Sequence, residues 1–402
     1  MMGALRQDFS LSAAVAGLIA LLATYSGPVL IVVQAAQAGH LSLELLSTWI
    51  WALSVGAAAL GLYLSLRYRI PVIGAWSTPG VALLIGALGQ YPFSDVIGCY
   101  LALAVAVTLL AWSGLFARLM KWLPANLLSA MIAGVLFQFC TKVFQALQGA
   151  PQLVLPVVLT YLLCRRFIPR YAVALALLSG LLLAWSQPAL EHGGVALTLV
   201  RPVVTMPTFS ATALLGLGLP LLLLALTQYA TGLTILSNAG YEVTARTIVG
   251  VSGLVSMPLA LCGSSGINPA AIVGALCASS ECHADPRRRY IAGVVCGVGY
   301  LCVGIFGASV VALFALLPAG LIATLAGLAL LGTLVSSLTA SLADETKREA
   351  SLITFVVTVS GMSFWGLGSA LWGLLAGLLF TYVLSWSGLR GAAMTSNKGV
   401  VR

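Results

Sequence analysis

Charge is the scarcest property of this 402-residue chain: Asp, Glu, Lys and Arg together make up 7% of it, and there are ten acids and three histidines. A soluble domain carries roughly a quarter charged residues, so none is expected here. The longest polar stretches are a few residues at 281–289 and 341–349 and a C-terminal tail, 391–402. The eight cysteines lie mostly inside apolar runs without metal-ligand spacing, and they read as small buried apolar residues. His40, His192 and His283 stand near segment ends, no Ser/His/Asp grouping is apparent, and "ECHAD" (281–285) has no ligand spacing on a helix. An enzyme is therefore not expected, nor is a metal or other cofactor.

What is abundant is apolar surface, with 60% hydrophobic residues and a mean hydropathy of +1.07. Uninterrupted apolar runs recur at about 20 residues, the length an α-helix needs to cross the hydrocarbon of a bilayer. The short alternating segments of a β-barrel are missing. The run at 9–38 is longer than a signal-peptide core and reads as a first span without a cleaved signal.

Charged and turn-rich breaks divide the chain into about fourteen segments: 9–38, 43–66, 70–88, 93–113, 124–147, 151–168, 171–188, 210–237, 243–256, 257–280, 289–316, 318–341, 350–363 and 367–388. With fourteen crossings and the N-terminus inside, 17 of the 19 Lys and Arg fall on the cytoplasmic side, and only Lys142 and Arg201 fall outside. The net charge of +9 is then a topology signal, and nucleic-acid binding is excluded.

The chain also repeats itself. "LPANLLSAMIAG" (123–134) opens segment five and "LPAGLIATLAG" (317–327) opens segment twelve; "WSTPGVALLIGAL" (76–88) in segment three answers "GINPAAIVGAL" (266–276) in segment ten. Two matches at an offset of seven suggest two seven-segment halves. Seven being odd, the second half enters the membrane from the opposite face, as an inverted repeat.

Segments three and ten are broken. Each has a stretch able to run extended, "IPVIGAW" (70–76) or "MPLALCG" (257–263), then small polar residues, then Thr78-Pro79 or Asn268-Pro269 in the order of an N-cap and a first helical proline. Irregular backbone at membrane depth must pair within the protein or line a cavity. Inverted halves would let the two extended pieces pair, bringing two half-helix N-termini together as an anion site without Lys or Arg. The acids lie at segment ends or loops, Glu44 and Asp95 near outer ends with His40 close to Glu44, so no deep carboxylate marks a proton relay. Deep polar residues are few: Tyr25, Ser26 and Gln34 in segment one, Gln138 in segment five, and Thr227, Gln228, Tyr229 and Thr231 in segment eight.

"RIPVIGAWSTPGVALL" (69–84), "GLFARLMKWLPANLLSAMIAGVL" (114–136) and "GSALWGLLAGL" (368–378) resemble the bacterial benzoate transporter (BenE) family of benzoate/proton symporters, over nearly the whole chain. The resemblance implies an all-α polytopic carrier of the inner membrane, with both termini cytoplasmic and the seven-plus-seven fold of uracil permeases and sulfate/bicarbonate carriers. It implies a core domain of 9–113 and 210–316, a gate domain of 114–200 and 317–390, and substrate between them. Nucleobase carriers of this fold place glutamates where Gln228 and Ile267 stand, so a nucleobase is disfavoured.

The expectation is secondary uptake of benzoate or a related aromatic carboxylate with protons, by alternating access. Donors for the carboxylate would be Ser77, Thr78, Gly80, Ile267 and Asn268 with the Gln228 side chain, Gly266 would belong to the same substrate site, and Tyr25, Trp76 and Tyr229 would line the ring slot. Asp95, Glu44, His40, a water chain and the substrate itself as benzoic acid are the candidates for carrying the proton, and a homodimer is common among similar carriers. The alternative is an anion channel, or a carrier of another small anion, on the same fold.

Overall fold

The computed structural model describes residues 7–122, 124–185, 198–242, 244–315 and 317–396. The expected tail beyond Ser396, together with Glu191 and His192, lies outside the described residues. The chain is mostly helical, and among the described residues seven helical stretches are long and apolar enough to cross a membrane and four further apolar helices are shorter.

The first apolar run is two helices rather than one, α1 (Leu11–Ser26) and α2 (Pro28–Ala38), divided at Gly27. Pro28 has no N–H to continue the helical ladder, so the chain bends there. After α3 (Leu43–Tyr68), Arg69 turns left-handed (φ 55°) and leads into strand β1 (Gly74–Trp76), the half-helix α4 (Thr78–Ala87) and α5 (Phe93–Ser113). Then follow α6 (Leu115–Trp122), α7 (Ala125–Gly149), α8 (Pro151–Phe167) and α9 (Ala172–Trp185). The second half of the chain holds α10 (Ala211–Asn238), with a π-turn at Leu214–Gly218, then α11 (Ala245–Ala260), strand β2 (Ile267–Pro269) and the seven-residue α12 (Ile272–Ala278). It continues through α13 (Tyr290–Ile305), α14 (Gly307–Ala315), α15 (Ala319–Ser341), α16 (Arg348–Val359) and α17 (Ser369–Ser396).

β1 and β2 form an antiparallel pair in the register Gly74↔Pro269, Ala75↔Asn268 and Trp76↔Ile267, extended by the Ala270 N–H donating to the Ile73 carbonyl at 2.8 Å. All six strand residues are buried, so this pairing satisfies backbone groups that lipid would leave bare. Gly74 is required there: a Cβ would come within 2.2 Å of the Ala57 carbonyl oxygen, because α3 lies flat against β1.

Two expectations about the second break need correction. Residues 257–260 of "MPLALCG" are not extended; α11 runs through Pro258 to Ala260 and ends in a turn at 261–263. Asn268 and Pro269 do not start the helix, since they sit in β2 and α12 begins at Ile272 without a side-chain cap. The Gly-Ser-Ser-Gly run supplies the reason, because Gly263 (φ 95°) and Gly266 (φ 94°) carry the chain through left-handed turns, which moves the extended piece to their C-terminal side.

Around the strand pair pack α3 with α13, α5 with α11, and α1 with α13; separately α7 packs along α15, α16 along α17, and α8 along α9. The two LPA motifs thus open helices that lie against each other. At their crossing a Cβ on Gly327 would stand 2.7 Å from the Phe139 carbonyl oxygen, so only glycine permits the approach.

Candidate functional site

Three elements of the broken region, β1/α4, β2/α12 and α10, meet at a cavity of about 350 Å³. Trp76, Thr78, Gln228 and Asn268 line it on one side, and Val173 of α9 with Ala329 and Thr333 of α15 close it on the other. Ile31, Val273 and Ile272 add apolar surface, Ile272 being 82% exposed. Among the described residues no Asp, Glu, His, Lys or Arg lines the space. Its size is that of a small-ligand pocket, mostly apolar with a few polar groups.

Trp76 is held from behind. Its ring meets Tyr25 edge-on at 5.8 Å and Tyr300 at 6.1 Å, and Tyr25 and Tyr300 are 5.6 Å apart. Each such pair contributes about 0.5–1.5 kcal/mol beyond burial, so the indole is fixed in place. Tyr25, whose hydroxyl bonds Ser54, supports the wall of the cavity and is not part of the lining.

The other expected site residues divide between the two faces of the strand pair. The N-cap of α4 is Ser77, not Thr78: its Oγ accepts from the Gly80 N–H at 3.1 Å, which engages that donor within the helix. Thr78, one residue on, is left facing the cavity. Tyr229 does not line the ring slot; it is buried behind β2, where its hydroxyl donates to the Ile267 carbonyl at 2.8 Å and contacts Ser252 Oγ at 3.0 Å. The Ile267 N–H is taken by Ser256 Oγ at 3.0 Å, so this residue too is structural. Behind the strands Ser77, Tyr229, Ser265, Gly266 and Asn268 enclose a second space of about 10 Å³, room for about one water. Asn268 alone borders both.

At the other end of α4 the chain is tied to the loop between α16 and α17. Tyr91 donates to the Gly366 carbonyl and reaches the Thr212 carbonyl at 3.5 Å, while Ser363 and Gln90 bond at 3.5 Å. Gln138, deep on α7, donates to the Val359 carbonyl at 2.7 Å and so caps the end of α16. The loop is shaped by left-handed Gly361, Trp365 and Gly366 and by a bridge between Phe364 and Leu367. Of these groups Gln90, Tyr91, Gln138 and Gly361 border a smaller cavity of about 160 Å³.

The proton candidates lie away from the 350 Å³ cavity. Asp95 stands in the first turn of α5 and accepts from the Thr208 hydroxyl, and Glu44 stands exposed in the first turn of α3, both favourable places for an acid at a helix N-terminus. His40 sits in an exposed left-handed turn (φ 50°). Near "ECHAD", burial pushes the Cys282 thiol up to about 11, and no cluster of His, Cys, Asp and Glu able to hold a metal occurs among the described residues. In the loop after α15, hydrogen bonds from Thr346 and Lys347 hold the Asp344 carboxyl below its usual range. Arg289 is buried and donates to the Ala278, His283 and Ala284 carbonyls, closing the C-terminal end of α12.

Sequence reasoning missed Val173, Ile272, Ala329 and Thr333. Ile272 had a local signal, as the first residue of the short helix after β2. The other three lie in ordinary apolar helices, and only the packing of α9 and α15 against the broken region brings them to the cavity.

Buried paired strands, half-helices and a cavity beside them make up a membrane transporter fold, which also occurs in anion and bicarbonate transporters. The structure matches the murine Solute Carrier 26 family member A9 anion transporter in its inward-facing state with a TM-score of 0.61 at 12% identity, over 95% of this chain and 69% of that one. It matches the transmembrane domain of a cyanobacterium bicarbonate transporter, BicA, with a TM-score of 0.58 at 14% identity, over 92% of this chain and 97% of that one. The chain belongs to the benzoate membrane transport protein family, BenE, whose family model matches residues 7–383. It is 40% identical over 381 residues to the benzoate membrane transport protein of Acinetobacter baylyi, covering 94% of this chain and 97% of that one. It is 36% identical over 371 residues to the inner membrane protein YdcO of Escherichia coli, covering 92% and 95%. The family is one of membrane transporters and not of enzymes.

Proposed function

We propose that this transporter imports benzoate or a close aromatic carboxylate together with protons, by alternating access across a bacterial inner membrane. The observation that carries this reading is the lining of the 350 Å³ cavity: Thr78, Gln228 and Asn268 supply polar groups from three elements, and Trp76, Ile272, Val173 and Ala329 supply apolar surface for a ring. The carboxylate takes hydrogen bonds from the Thr78 hydroxyl and the Gln228 and Asn268 amides, and the ring lies between Trp76 and the α9/α15 wall. Without an opposing cation, the site holds an anion through dipoles, α4 contributing the positive end of its own. With no titratable side chain in the lining, the proton crosses on the substrate's carboxyl or on water next to it.

In this reading the chain makes fourteen crossings in two inverted halves, with both termini cytoplasmic, a core of 9–113 and 210–316, and a gate of 114–200 and 317–390. The antiparallel pairing of β1 with β2 supports the inversion. On that topology the cavity belongs to the cytoplasmic side and the Tyr91–Gly366 hydrogen bond to the periplasmic side, and the proposed cycle opens each in turn as core moves against gate. Purified protein in liposomes, given labelled benzoate under an inward proton gradient, is expected to show saturable accumulation that a protonophore abolishes. A sustained, unsaturated benzoate or chloride current would instead establish a channel.

A further inference from the structure

The gate-side wall of the cavity carries one hydroxyl that the protein itself leaves unused. On α15, Thr324 donates to the Gly320 carbonyl at 2.7 Å, Ser336 to Gly332 at 2.7 Å and Thr339 to Val335 at 2.9 Å. That return to the preceding turn is how a hydroxyl in a membrane helix is ordinarily satisfied. Thr333, between them in sequence, lines the cavity, and its hydroxyl makes no hydrogen bond among the described residues. Elsewhere in the lining, Thr24 is engaged by the Ala20 carbonyl and the Tyr300 hydroxyl, and Thr231 by the Thr227 carbonyl.

The position of Thr333 is informative as well. It follows Ala329 by one helical turn on the same face, about 6 Å along the axis, with Val173 on the neighbouring helix. The gate wall is therefore apolar for one turn and then presents a hydroxyl. In the pose proposed above, with the carboxylate on Thr78, Gln228 and Asn268 and the ring along Val173 and Ala329, Thr333 is the polar group of the gate wall left for the ring edge remote from the carboxylate.

We propose that Thr333 is a specificity residue that favours ring-hydroxylated aromatic carboxylates, its hydroxyl hydrogen-bonding a hydroxyl group on the ring edge remote from the carboxylate. The proposal rests on the aromatic-carboxylate reading above. A bare or methylated ring edge leaves the Thr333 hydroxyl facing carbon and stripped of water, which is unfavourable. A hydroxylated edge restores its partner.

The test uses the full-length protein in liposomes, as wild type, Thr333→Val and Thr333→Ser. Uptake of labelled benzoate is competed by 4-hydroxybenzoate and by 4-methylbenzoate, which share a shape and differ in hydrogen bonding, with 3-hydroxybenzoate and 3-methylbenzoate as a second pair. Wild type is expected to prefer the hydroxylated member of a pair. Thr333→Val, which keeps the side-chain volume, is expected to shift that preference toward the methylated member by about two- to tenfold, the range of one hydrogen bond, and Thr333→Ser to restore it. The preference is a ratio taken on one protein sample, so the folded fraction cancels. Thermal shifts of purified protein with each competitor read the same ratio from a variant that binds but does not transport. An equal ratio in wild type and Thr333→Val overturns the inference and leaves benzoate transport standing; no benzoate uptake by wild type overturns both.

Discussion

The Tyr91 hydroxyl donates to the backbone carbonyl of Gly366, joining the loop after α4 to the loop between α16 and α17 across 275 residues of sequence. One neutral hydrogen bond contributes about 1 kcal/mol, enough to bias two conformations several-fold. Tyr91→Phe removes the bond and keeps the ring. A cysteine at Gly86, which borders the 160 Å³ cavity and where a Cβ meets nothing within 4 Å, serves as reporter. Maleimide applied from the periplasmic side is expected to label Gly86→Cys about three- to tenfold faster in the Tyr91→Phe background. Equal rates would mean that the contact does not hold that side closed.

Ser77 caps α4 through the Gly80 N–H. Ser77→Ala should destabilise the protein by about 1 kcal/mol, seen as a lower melting temperature in detergent, whereas Ser77→Asn should recover most of the loss. If alanine melts with wild type, the cap contributes nothing.

Gln228 lines a cavity that holds no positive side chain. Gln228→Glu places a negative charge beside an anionic substrate and should raise the KM for benzoate at neutral pH by more than tenfold. Gln228→Ala removes only a donor and should raise it by about two- to tenfold. Initial rates across a range of benzoate concentrations separate the two, and a glutamate variant no worse than alanine would place the carboxylate elsewhere.

Asp95 accepts from Thr208 at the start of α5, away from the cavity. Asp95→Asn should therefore retain proton-driven accumulation, measured as benzoate uptake with and without a pH gradient. Loss of the gradient's effect, with downhill benzoate flux intact, would make Asp95 the proton carrier.

A methyl group at Gly74 would overlap the Ala57 carbonyl oxygen at 2.2 Å, and neither partner is a flexible side chain. Gly74→Ala must push β1 off α3, at a cost of about 1–3 kcal/mol or more. Its folded yield, followed by size-exclusion profile, should fall well below that of Gly86→Ala, which meets open space.

Periodicity and breaker residues disclosed the helical membrane architecture, the two broken segments and the pairing of their extended pieces, because lipid tolerates irregular backbone only where protein satisfies it. They misplaced the second break, since Pro258 reads as a helix breaker yet is accommodated inside α11. The left-handed glycines at 263 and 266 were the better landmark. Trp76, Thr78, Gln228 and Asn268 could be singled out because polar or broken sequence is conspicuous at depth. Tyr229 was conspicuous for the same reason, and its hydroxyl turned out to hold β2 in place. Val173 and Ala329 could not be singled out at all, for a valine or alanine bordering a cavity looks in sequence like one bordering lipid.

The three-residue strands also bear on how the protein is made. While the chain is being synthesised, Gly74, Ala75 and Trp76 enter the membrane long before their partners Pro269, Asn268 and Ile267 exist. Until then their peptide groups lack acceptors and donors at a depth where water is scarce. Before β2 is made, the element that packs against β1 from its own half of the chain is α3, whose Ala57 carbonyl lies against Gly74. Expressed alone, residues 1–200 should be degraded quickly by membrane proteases, and co-expression of residues 201–402 should lengthen their lifetime in a pulse-chase experiment.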